Sequence, residues 1–161
     1  MALNDVSNIL WRERQLLELL VFKLEEEQLV LAAGRTRWLS HATREVETVL
    51  EEIKKVELDR AVEVEGAAKE LGLSSAPSLR ELSELTPSPW NKIFEEHRRA
   101  LLETAQEIDS VAKANRDLLS RGHQAAREAL ATIGQVEVDS YTPTGAAAAG
   151  SLGLRLIDEA I

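Results

Sequence analysis

The chain has 161 residues, 44% hydrophobic, 29% charged and only 4% aromatic, with a formal net charge of −9 and a pI near 4.9. That length suits one domain with a real core, and the shortage of aromatics disfavours a β-sandwich or barrel. The acidic balance speaks against nucleic acid, whose partners carry a basic face, and against an anionic lipid surface. The absence of cysteine excludes disulfides, thiolate metal sites and a cysteine nucleophile.

The first predicted element covers residues 3–33. Leu3, Val6, Leu10, Leu17, Leu20, Leu24 and Leu31 follow one another in steps of three and four, with Glu13 and Glu27 where the pattern skips. This is helical periodicity close to a heptad seam, and Leu16, Leu19 and Val21 widen the stripe enough for two partner helices. Asn4 and Asp5 are candidate caps. The stretch LLELLVFKLEEEQLVLAA, residues 16–33, carries Glu18, Lys23, Glu25, Glu26 and Glu27. A membrane span needs about 20 predominantly apolar residues, so this reads as a core helix about 45 Å long. The opening MALNDVSN lacks the basic-then-apolar order of a signal peptide. The expectation is a soluble cytoplasmic protein with no membrane insertion.

Gly34 sits where the phase changes. It predicts a tight bend over residues 34–36 with the glycine in the left-handed conformation; one continuous kinked helix is the alternative. The second helix, residues 36–71, has the seam Leu39, Ala42, Val46, Val49, Ile53 and Val56. Arg60 interrupts it, and Ala61, Val64, Ala68 and Leu71 continue on a shifted face. Between Glu45 and Glu70 nine acidic residues face four basic ones, the pattern of a solvated outer face.

The connector GLSSAPSLRELSELTPSPW, residues 72–90, is punctuated by Gly, Ser and Pro. Ser78 and Glu81 have capping-box spacing and predict a short helix to Leu85. Ser88 as cap and Pro89 at the first helical position open the third long helix, residues 89–133. Its seam is Leu101, Ala105, Ile108, Ala112, Asn115, Leu119, Gly122, Ala126, Ala129 and Ile133. Val111, Leu118 and Leu130 broaden it. The seam turns small toward its C-terminal half, which lets another backbone approach or leaves a groove to fill. Asn115 reads as a register-fixing polar residue in preference to a ligand contact. Residues 135–161 read as a flexible tail with an apolar patch at Leu152, Leu154, Leu156, Ile157 and Ile161. The organisation expected is an all-α, elongated antiparallel three-helix bundle or coiled coil over residues 1–134, with a short extra helix in the connector and then the tail.

Catalytic chemistry is hard to find. None of His41, His97 and His123 follows a Glu at bundle metal-site spacing. His41 and Glu45 read as a surface pair. Ser120 and His123 lie one turn apart without an orienting third group. Gly145, Gly150 and Gly153 do not form a phosphate loop, and Arg35, Arg37 and Arg44 read as a surface patch. No catalytic residue, metal or cofactor is expected. Long amphipathic helices, small seam residues and an apolar tail suit the capture of another helix in a groove. A self-associating coiled-coil scaffold or adaptor is the alternative.

The opening VSNILWRERQLLELLVFKLEEEQLVLAAGRTRWL resembles the start of the flagellar export chaperones of the FlgN type, where Leu and Glu alternate along a first long helix before a bend. ANRDLLSRG, residues 114–122, is similar to the family's Asn-x-x-Leu-Leu segment, and SYTPTG, residues 140–145, looks like its tyrosine-containing C-terminal segment. The resemblance covers roughly residues 3–145; residues 146–161 run past the family's usual short tail. It implies a cytoplasmic chaperone of flagellar type III export with no small-molecule substrate. Its clients would be hook-associated proteins of the hook-filament junction, whose terminal helix it would shield and deliver to the export gate cytoplasmic domain. The client site would map onto the third-helix seam from Leu101 to Ile133, and gate docking onto Tyr141.

Overall fold

A computed structural model describes residues 2–133. They form four helices and no strand: α1 (Ala2–Ala32), α2 (Thr36–Glu70), α3 (Leu79–Leu85) and α4 (Trp90–Thr132). The spans expected for the long helices were 3–33, 36–71 and 89–133. The fold is all-α, and α1 is the central rod, with α2 on one side and α4 on the other.

Both glycine bends follow from backbone chemistry. Gly34 has φ 66° and Gly72 φ 71°, a region costly for residues with a Cβ. Arg35 N–H donates to the Val30 carbonyl and Gly34 N–H to that of Leu31; Leu73 and Gly72 bond to Ala68 and Lys69 in the same way. These pairs satisfy carbonyls that a helix end leaves open. The first bend makes α1 and α2 a hairpin instead of one kinked helix. Cross-helix pairs show the antiparallel register: Arg12 with Asp59 (3.9 Å), Lys23 with Glu45 (3.6 Å) and Glu27 with Thr43 (3.0 Å). The short helix α3 opens on the expected capping box. Ser78 Oγ accepts from Glu81 N–H, and the Glu81 carboxylate accepts from Ser78 N–H.

Two expected caps are corrected. α1 starts at Ala2, so Asn4 and Asp5 lie inside its first turn; burial of Leu3 in the core carries the helix back past them. Ser88 does not cap α4. Pro89 holds the cap position without a side-chain bond, the Ser88–Pro89 peptide is cis, and backbone carbonyls of Pro87 and Pro89 accept from Asn91 and Ile93.

The core is the set of heptad stripes. On α1, Leu3, Val6, Leu10, Leu17, Leu20 and Leu24 are buried; on α2, Leu39, Ala42, Val46, Val49, Leu50, Ile53 and Val56; on α4, Phe94, Leu101, Ala105, Ile108, Ala112 and Leu119. Leu79 and Leu82 bring α3 onto the same core, and Trp90 stacks on Phe94 (5.8 Å). Glu13, Glu27 and Arg60, which had read as breaks in the pattern, occupy the next heptad slots and are buried with it. Among the described residues, no helix is long and apolar enough to cross a membrane.

Candidate functional site: a groove where the fourth helix outruns the hairpin

Three polar layers fix the registers of the rods. In the first, Arg60 Nη1 of α2 lies 3.0 Å from Glu13 Oε2 of α1. The contact lacks hydrogen-bond geometry, and neither Glu13 oxygen has a hydrogen-bonding protein partner. Burial pushes the Glu13 carboxyl up to about 7, against the opposing pull of Arg60. The second layer holds His97 of α4. Arg14 Nη1 lies 3.3 Å from its Nδ1. An arginine can only donate, so Nδ1 accepts and Nε2 carries the proton it donates to Ser7 Oγ (3.0 Å). Trp11 meets the imidazole edge to face (5.0 Å) and is itself covered by the Arg14 guanidinium (4.0 Å). Burial, reinforced by Arg14, lowers His97 to about 4, so the imidazole is neutral near pH 7.

The third layer ties all three rods together. Asn115 Nδ2 of α4 donates to the Leu24 carbonyl (2.9 Å) and to Glu27 Oε1 (3.1 Å), and Thr43 Oγ1 of α2 donates to Glu27 Oε2 (3.0 Å). Burial raises the Glu27 carboxyl, and these two hydrogen bonds oppose the rise. Asn115 is thus the register-fixing polar residue expected.

The Ser7–His97, Leu24–Asn115 and Glu27–Asn115 contacts also show that α4 runs parallel to α1, offset by 88 to 91 residues, with the longer Arg14 side chain reaching His97 across an offset of 83. At that offset the end of α1 at Ala32 stands level with about residue 121 of α4, whereas α4 continues to Thr132. The last turns of α4, about 15 Å of helix at 1.5 Å per residue, therefore project past the hairpin. The seam changes character at this level. Leu101, Ala105, Ile108, Ala112, Asn115 and Leu119 are all at most 8% exposed, whereas Gly122, Ala126 and Ala129 are exposed and Ile133 is 67% exposed. Of the ten seam residues expected at the client surface, the first six lie in the core under α1 and the last four face outward.

Below the overhang lies an apolar groove of ≈ 320 Å³, floored by Leu31, Leu39 and Leu119 and walled by Leu118, Gly122 and Ala126. A Cβ on Gly122 would meet nothing within 4 Å, and Gly in a helix interior costs about 1 kcal/mol against Ala. Packing within the described bundle therefore does not require this glycine. A second cavity of ≈ 240 Å³ lies between α1, α2 and the connector, with Glu57 and Arg60 in its lining. Its charged wall makes it less suited to an apolar helix than the hairpin-end groove.

Other sequence candidates fall elsewhere. Ser120 is exposed, and His123 is half-buried on the groove wall. His41 packs against Trp38 (5.7 Å). No group of three or more candidate ligands gathers for a metal ion among the described residues. Tyr141 and the apolar patch from Leu152 to Ile161 lie outside the described residues. Sequence reasoning missed the exposed aromatics Trp11 (50%), Phe22 (58%) and Trp38 (47%); all fall off the heptad slots, which was the available signal.

The family model described as "FlgN protein" matches residues 1–149. The chain belongs to the FlgN family. That family carries the role of flagellar export chaperone, and its chaperones bind flagellar hook-associated proteins in general. No curated protein and no solved structure matches the chain.

Proposed function

We propose that this FlgN-family chain is a cytoplasmic chaperone that receives the terminal helix of a hook-filament junction protein in the hairpin-end groove. There it keeps the client from assembling early, and it delivers the client to the export gate cytoplasmic domain. The observation that carries the reading is the α4 overhang. One heptad stripe runs from Leu101 to Ile133, is covered as far as Leu119, and then continues uncovered through Gly122, Ala126, Ala129 and Ile133. A client helix laid on that remainder continues the bundle packing beyond the end of α1. Burying an aliphatic side chain such as Ile133 contributes about 1.5–3 kcal/mol, and ordering the client takes back several kcal/mol. The balance suits a complex that forms firmly and still releases. The bundle of residues 1–134 is the holding unit in this reading, and Tyr141 in the tail is the gate-docking residue.

Titration calorimetry with the terminal helix of a hook-associated protein tests it. Ala126→Glu together with Ala129→Glu changes only exposed positions and puts charge on the proposed contact. The pair should leave the helical content and melting temperature close to wild type and weaken binding at least tenfold. Unchanged affinity would remove the groove from the account.

A further inference from the structure

The hairpin-end groove has a candidate occupant within its own chain. The family match stops at residue 149, and beyond it the sequence LGLRLIDEAI, residues 152–161, places Leu154, Ile157 and Ile161 at helical spacing. We infer that residues 152–161 seat this apolar stripe in the groove formed by α1, α2 and α4 and cover it when no client is bound. The inference rests on the reading of that groove as the client site, and adds a competitor to it.

Reach and charge both fit. Residues 134–151 connect Ile133 to the segment, and a flexible linker of that many residues would span about 23 Å. From Ile133 back to Ala126 on the groove wall is about 10 Å along the helix axis. The segment therefore competes at the millimolar effective concentration of a short tether. The groove end is the basic corner of an acidic protein. Arg35, Arg37, Arg121 and Arg127 are exposed, and each stands next in sequence to a residue lining the groove, against one exposed acidic residue so placed, Asp117. The segment brings Asp158 and Glu159 against one Arg155. The opposite sense of charge would have been repelled there.

The test uses the full chain without client. Amide and methyl resonances are compared between wild type and Leu154→Asp with Ile157→Asp. The expected result is that Val30, Leu31, Leu39, Leu118 and Leu119 shift, that dilution leaves the difference unchanged, and that Ala126→Glu alone moves the same resonances. Silence at those five residues, changes confined elsewhere, or a difference that vanishes on dilution (a second copy as the occupant) would overturn the inference. A second arm measures client affinity. Because a covered groove lowers apparent affinity by its free fraction, the Asp variant should bind the client helix at least fivefold more tightly. Groove shifts without client binding at the groove would retain the cover and sink the client reading; client binding without groove shifts would do the reverse.

Discussion

Two buried groups of opposite sense should leave the wild-type protein with a flat stability profile in mild acid, and single substitutions should tilt it in opposite directions. Glu13 is fully buried, and its carboxyl moves from 4.5 to about 7 on folding. The native state therefore holds a proton that the unfolded chain releases between pH 4.5 and 7, and stability falls as pH rises through that window. Over the whole window the effect is about 3 kcal/mol. Glu27, also raised by burial, acts in the same sense, but the hydrogen bonds from Thr43 and Asn115 hold its rise back, so Glu13 sets the carboxylate slope. His97 is 1% exposed and drops from 6.5 to about 4. Here the unfolded chain takes up the proton first, so stability falls as pH falls from 6.5 to 4, again by about 3 kcal/mol. The windows overlap, and the slopes offset one another between roughly pH 4.5 and 6.5. Urea unfolding at half-unit steps from pH 5 to 7.5 measures this. Glu13→Gln should expose the histidine slope, with stability rising with pH. His97→Gln should expose the carboxylate slope, with stability falling with pH, at up to about 1.4 kcal/mol per pH unit. If both variants keep the wild-type profile, neither group is buried in the state described.

Removing one partner of the Glu13–Arg60 layer should be far worse than removing both. Arg60→Met strands a buried carboxylate and should cost about 3–5 kcal/mol in urea unfolding at pH 8, whereas adding Glu13→Leu completes the heptad stripe and should restore wild-type stability or exceed it. Gly34→Ala should lower stability by about 1 kcal/mol, because its φ of 66° disfavours a Cβ although no atom lies within 4 Å. Gly122→Ala should do the opposite in thermal melts, gaining up to about 1 kcal/mol, while weakening client binding by narrowing the closest approach to α4. A stabilised variant with undiminished binding would show that nothing comes close to Gly122.

Much of this architecture was legible because heptad spacing is a statement about which side chains share a face. Every seam residue named on α1 and α2 up to Val56 is buried or half-buried in the bundle. What the pattern concealed was the content of the polar slots. Glu13 and Arg60 had looked like interruptions on separate helices; only the antiparallel register set by the Gly34 bend brings them to 3.0 Å. His97 likewise gains its meaning from Ser7 and Arg14, more than eighty residues away. The caps at Asn4, Asp5 and Ser88 failed because burial of Leu3 and the backbone turn at Pro87 outweighed side-chain capping. On α4 the sequence shows one unbroken stripe. Where that stripe passes from core to surface depends on how far α1 extends alongside it, a length comparison between helices that periodicity alone does not contain.

The central claim is that the uncovered end of that stripe receives the client. Hydrogen exchange on the chaperone carrying Leu154→Asp and Ile157→Asp, so that the groove is open at the start, with and without a hook-associated client helix tests it most directly. The account predicts new protection over residues 118–133 and at the α1–α2 bend, with residues 97–115 unchanged. Protection falling instead on the outer face of α1 around Leu19 and Phe22, with the α4 end exchanging as before, would contradict it.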